Sequence, residues 1–221
     1  MLSACLKALC GLMLAAWLSA CADPIPKALI TPVYKGEAPA KLAIGMTDHR
    51  TFILSADKEP WFEGIFHGAY GIPHSLQRPG PKTGQPFASY LSDMLADGLR
   101  ANGTGVSVIA LRSGADMGEA IKRVSADTGT PGLIFRIAHS RYVVGWTSAE
   151  YRHHFDVTVT NPAGEVVLEK PFQRFDTNIP HSNTYTIFDM YAAIYKKVLD
   201  EVLADPDVMN ALGGLAVPLT G

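Results

Sequence analysis

From Lys41 onward the apolar residues follow two rhythms. KLAIGMT (41–47) sets Leu42, Ile44 and Met46 against smaller neighbours, a period of two that predicts a strand. Phe87, Tyr90, Leu91, Met94, Leu95 and Leu99 recur at three- and four-residue spacing, behind Pro86 and ahead of Asn102-Gly103. That spacing predicts an amphipathic helix with a marked start and stop. VSVIAL (106–111) reads as a short buried strand, and Ser113-x-x-Asp116 as a capping-box-like start to a second helix through Ile121 and Val124.

GLIFRIAHSRYVV (132–144) and YRHHFDVTVT (151–160) both read as strands, the latter alternating Tyr151, His153, Phe155, Val157 and Val159 with polar neighbours. Asn161-Pro162-Ala163-Gly164 then turns the chain into EVVLEKPFQRF, an antiparallel hairpin. Ile187, Tyr191, Ile194, Tyr195, Val198, Val202 and Leu203 form the stripe of a last helix that ends before Pro206, with room for a further turn at Asp207. The order β-α-β-α-β-β-β-α predicts an α/β (α+β) fold, a mixed and largely antiparallel sheet with helices packed on one face. Residues 41–213 form its single globular domain and 214–221 a tail.

Two segments break these rhythms. Ala22 to Ala40 carries four prolines and reads, with residue 21, as a Pro-rich tether over 21–40, although its apolar middle, ALITPVY, could equally dock on the domain. Ser55 to Gln85 reads as a long loop, and loops beyond about 15 residues tend to be functional. It holds Trp61, Phe62, Phe66 and Tyr70 among glycines and prolines. Two uses are open to it: a cover over a sheet edge, or a docking surface for a protein or glycan.

The first twenty residues are a separate unit. Lys7 precedes an apolar run that ends at Ala20, shorter than the roughly 20 residues of a membrane span and of the form that marks an export signal. The motif LSAC occurs at 2–5 and again at 18–21, and only the second has the apolar run before it. Leu18-Ser19-Ala20-Cys21 resembles the lipobox of bacterial lipoproteins; an ordinary secretory signal with a nearby cysteine is the alternative. The resemblance implies cleavage before Cys21, acyl chains on that residue and a membrane anchor independent of the fold. With Ala22 rather than Asp after the cysteine, it also implies the outer membrane, periplasmic face. Of the three cysteines, Cys5 and Cys10 would leave with the signal, so Cys21 would have no partner for an intrachain disulfide.

A formal net charge of −2, with no basic run, gives no footprint for nucleic acid. No P-loop, G-x-S-x-G, H-E-x-x-H or dinucleotide motif occurs, and no cofactor is expected. His153 and His154 are adjacent on a strand and point to opposite faces. His139 with His153 across the sheet, helped by Asp156 or Asp176, is the arrangement that an envelope hydrolase or a metal site would need. Asp48 and Arg50 end the first strand at the mouth of the long loop, where a local ion pair, a loop anchor or a ligand contact are all open.

Thr47-Asp48-His49-Arg50, the following ILSADKEPWFEGIFHGAYG, the helix behind Gln85-Pro86-Phe87 and the late hairpin plus helix resemble the YajG-type family of bacterial lipoproteins over most of the mature chain. The element order is also similar, by topology alone, to the amino-terminal domain of TolB and to auxiliary lipoproteins of envelope ABC transporters. The YajG resemblance carries no catalytic residues. The missing catalytic motifs and the aromatic loop together predict a non-catalytic binding or accessory protein of the envelope, with a protein or glycan partner.

Overall fold

The structure, a computed structural model, describes residues 26–76, 84–180 and 187–216, with side chains from residue 190 in the last stretch. Cys21 and the signal lie outside the described residues. The strands are β1 (Lys41–Asp48), β2 (Gly64–His67), β3 (Pro73–Leu76), β4 (Gly105–Val108), β5 (Gly132–Val144), β6 (Ser148–Thr160) and β7 (Val166–Pro180). The helices are α1 (Thr51–Leu54), α2 (Phe87–Ala101), α3 (Met117–Ile121, run on by a π turn Lys122–Ala126), α4 (Ile187–Leu203) and α5 (Pro206–Gly214).

All seven strands join one mixed sheet built around β5. The first half of β5 pairs parallel with β1, whose other side pairs parallel with β4. The second half of β5 pairs parallel with β2, which carries β3 as an antiparallel edge. Along its opposite side β5 pairs antiparallel with β6, and β6 with β7, so the long pairings are antiparallel as the patterning predicts.

One face of the sheet is covered by α2, α4 and α5. Leu42, Ile44 and Met46 of β1, Leu133, Phe135 and Ile137 of β5, and Phe155, Val157 and Val159 of β6 meet Leu91, Leu95 and Leu99 of α2 and Val198, Leu199 and Val202 of α4. Each such side chain contributes about 1.5–3 kcal/mol when buried, which makes this face the main source of stability. On the other face the short α3 sets Ala120 and Val124 against Ala43 and Ile134, a small second core. The cap of α3 is Asp116 itself, accepting from the Glu119 N–H at 2.8 Å, rather than Ser113 three residues earlier. α5 starts at Asp205 and Pro206, and Lys170 of β7 bridges Asp205 and Asp207 at 2.8 and 2.7 Å, fixing that helix to the sheet edge.

Two expectations need correction, and one open alternative is decided. β4 is an exposed edge strand rather than a buried one, because β1 is its sole neighbour and only Val106 is turned partly inward. The long loop contains β2 and β3, four-residue strands whose pairing is closed by a turn at Ala69–Gly71. Of the two uses open to the segment before Lys41, its described residues show docking on the domain. Tyr34 is buried in the main core, the Val33 N–H donates to Asp200 Oδ1 at 2.7 Å, and the Asn102 side chain donates to the Gly36 carbonyl at 3.2 Å.

β7 forms an edge of the sheet for fifteen residues. Pro171 interrupts it near the middle, within a run that includes Glu169, Lys170, Gln173 and Arg174.

Candidate functional site

Asp48 and Arg50 form a buried clamp rather than a ligand contact. Arg50 is 0% exposed. Its Nε donates to Asp48 Oδ1 at 2.9 Å and its Nη2 to Oδ2 at 2.7 Å, a bidentate pair away from water. Nη1 donates to the Phe62 carbonyl at 2.7 Å, and the guanidinium lies over the rings of Phe52 and Phe87, 5.1 and 4.6 Å from their centres. Such a charge is tolerated inside only when every donor is used. The clamp therefore ties the end of β1 to the 55–63 loop and to the first turn of α2.

The four aromatic residues of the loop segregate. Phe62 is a core side chain, 5% exposed and edge-on to Phe52 at 5.3 Å, which removes it from any surface role. Phe66 is half-buried on the inner face of β2 and stacks on His74. Trp61 is half-buried and, with Lys58, Glu59 and Leu76, lines a hollow of about 250 Å³. Tyr70 stands at the tip of the β2–β3 hairpin, 98% exposed, with φ at +60°.

The histidines do not converge as a hydrolase or metal site would require. The β5–β6 register shifts between Ile137 and His139, so His139 lies opposite His154, and His153 opposite Ser140. His153 points to the helix-covered face, buried between the rings of Tyr151 and Phe155. Burial pushes its pKa down to about 4, against the opposing pull of Asp176. His139 points to the other face, and desolvation followed by the charges of Arg152 and Arg141 holds its pKa below the ordinary value. Asp156 accepts from Arg136 and sits 3.1 Å from the His154 ring, while Asp176 accepts from Arg174 at 2.6 Å. Among the described residues no three potential metal ligands cluster.

A polar cluster inside the main core escapes sequence reasoning. Tyr142 stacks on Tyr151 at 4.6 Å and tilts against Tyr191 at 4.4 Å, and Tyr195 lies edge-on to both Tyr142 and Tyr151. The Tyr195 hydroxyl donates to buried Glu63 at 2.8 Å, and the Tyr151 hydroxyl shares a 3.0 Å hydrogen bond with Ser140. Burial pushes all four phenol pKa values up, so none of these groups serves as a base near neutrality. A signal for the cluster existed in the recurrence of tyrosine on both the β5–β6 hairpin and the α4 stripe. Glu63 gave none.

On the face that α3 covers only in part, β5, β6 and β7 form a shallow depression. Two adjoining hollows of about 410 and 320 Å³ share His139, Arg152 and Phe175. The first extends to His154 and Gln173, the second to Ile65, Arg141, Val143 and Glu150.

No known family's sequence profile matches the chain, and no curated protein sequence matches it. Solved structures do. A DUF330-family protein from Xanthomonas campestris matches with a TM-score of 0.45 at 14% identity, over 84% of this chain and 91% of its own. A hypothetical protein from Chlamydia trachomatis gives 0.39 at 9% identity, over 75% and 96%. A protein described as a homolog of neuraminyllactose-binding hemagglutinin, from Helicobacter pylori, gives 0.34 at 10% identity, over 85% and 96%. Likenesses this remote leave family and function unassigned.

Proposed function

We propose that this chain is an acyl-anchored bacterial envelope lipoprotein of the YajG type, held to the periplasmic face of the outer membrane through Cys21, that works by binding a partner rather than by catalysis. The observation that carries the reading is the packing of the segment after the lipobox-like motif. The first described turn opens at Lys27, six positions after Cys21, and by Tyr34 the chain is inside the core. A chain starting at Cys21 would thus place its folded body within a few nanometres of the anchoring membrane, at ~3.1 Å per extended residue.

The partner, an envelope protein or glycan, would be met by the β2–β3 hairpin. Tyr70 projects from its tip, half-buried Phe66 lies along β2 and half-buried Trp61 precedes its base, whereas Asp48, Arg50 and Phe62 serve to hold the hairpin in place. Exposed aromatic side chains are favoured anchors for protein contact.

Two measurements test this in living envelopes. A fatty-acid probe should label the wild type and not Cys21→Ser; equal label on both sinks the anchor. A photo-crosslinking residue at position 70 should capture a discrete partner that the same residue at exposed Val167 on β7 does not. Identical capture from both positions removes the hairpin from the binding role.

A further inference from the structure

Arg141 and Arg152 occupy directly opposed positions on β5 and β6, and one step along the same face His139 opposes His154. Opposed residues of an antiparallel pair hold their Cβ atoms about 4.5–5.5 Å apart, where like charges destabilise the sheet. Elsewhere Arg50, Arg100, Arg112, Arg136 and Arg174 each meet a carboxylate. Among the described residues neither Arg141 nor Arg152 does. Arg152 instead lies over the ring of Phe175, 4.4 Å from its centre, a cation–π contact that fixes the plane of the guanidinium.

We propose that this depression binds a soluble phosphate ester of an aromatic molecule, with the phosphate between the arginine and histidine rows and the ring against Phe175. Two guanidinium groups and the His139 imidazole surround the position, with His154 beside it turned to Asp156, a donor set well matched to the oxygens of a phosphate. Phe175, 48% exposed, together with Ile65 and Val143 supplies the apolar wall. The acidic groups on this face set the polarity of the site. Glu150 closes the end beyond Arg141 and Arg152, and Asp156 is already occupied by Arg136 and His154. The anion therefore seats toward Gln173. Desolvation first and then the charges of Arg152 and Arg141 disfavour protonated His139; the anion would offset the second of these, so binding should shift that ring toward its protonated form. The site is remote in role from the Tyr70 hairpin, and its test does not depend on acylation.

The test uses the full chain in neutral detergent at pH 7 and moderate salt, titrated calorimetrically with phenyl phosphate. Saturable binding should weaken at least tenfold in Arg141→Gln and in Arg152→Gln, while Phe175→Ala should bind phenyl phosphate no better than inorganic phosphate. Both glutamine variants should melt at or above the wild-type temperature without ligand, since each removes a like-charge opposition. In the wild type the His139 ring resonance should move toward its protonated position on saturation. The proposal is overturned by no saturable binding, by glutamine variants that bind as well as wild type, or by a His139 resonance that stays put. Hexaglutamate binding as tightly as phenyl phosphate would reassign the face to an acidic protein, and tighter capture of dihexanoyl phosphatidic acid would reassign it to a lipid; either result also overturns it.

Discussion

The guanidinium of Arg50 lies 4.6 Å from the centre of the Phe87 ring, so the end of β1 is stacked directly on the first turn of α2. Arg50→Met should be costly out of proportion to its size. It leaves the Asp48 carboxylate buried without its partner, and breaking such a pair on one side typically costs about 3–5 kcal/mol. The double variant Asp48→Asn with Arg50→Met should recover a good part of that loss. Urea unfolding of the two variants measures it, and a single variant within 1 kcal/mol of wild type would show that the clamp is not what holds the loop.

His153 should make the fold sensitive to mild acid. Its pKa is about 4 in the folded chain and near 6.5 when unfolded, so below pH 6.5 the unfolded state binds more protons. Stability is then fully present above pH 6.5 and falls as pH drops toward 4, by up to about 3 kcal/mol. Its Nδ1 has no hydrogen-bond partner among the described residues, so His153→Phe should fold and should flatten this part of the pH profile. Denaturation midpoints of both chains between pH 4 and 7 decide the matter; parallel profiles would assign the acid sensitivity to another group.

Inside the tyrosine cluster, two hydroxyls should behave oppositely. The Tyr142 hydroxyl is buried with no hydrogen-bond partner among the described residues, a situation that costs about 1–3 kcal/mol, so Tyr142→Phe should match or exceed wild-type stability. Tyr195→Phe withdraws a donor from buried Glu63 and should lose about 1–3 kcal/mol. Thermal melts of the pair are sufficient, and equal losses would mean that Tyr142 has a partner after all.

The elements with sustained rhythm were legible in the sequence. The stripe from Phe87 to Leu99 and the alternation in β6 each bury one face, and periodicity reports that burial directly, while the turn at Asn161–Gly164 is announced by its turn-forming residues. β2 was not legible, since four residues cannot display a period. What fixes it is a close approach: a Cβ on Gly64 would lie 2.2 Å from the Tyr142 carbonyl oxygen, a constraint visible only in three dimensions. The candidate residues fared by the same logic. That His153 and His154 part to opposite faces follows from strand geometry alone, but pairing His139 with His154 depends on the irregularity beside it. The pairing of Arg50 with Asp48 was open to the sequence as a local ion pair, but its inward turn was hidden, because its remaining acceptors are main-chain carbonyls and its stacking partners lie on separate elements.

The outer edge of β7 leaves main-chain donors and acceptors without a neighbouring strand among the described residues, the form of surface through which separate chains fuse into fibrils. Pro171 splits that edge into runs of five and nine residues, and a strand arriving from another molecule would find its ladder broken there. Charged Lys170 on one side and Arg174 on the other lie close to the break. The longest edge strand among the described residues is thereby a poor template for growth, which guards the folded chain against templated aggregation.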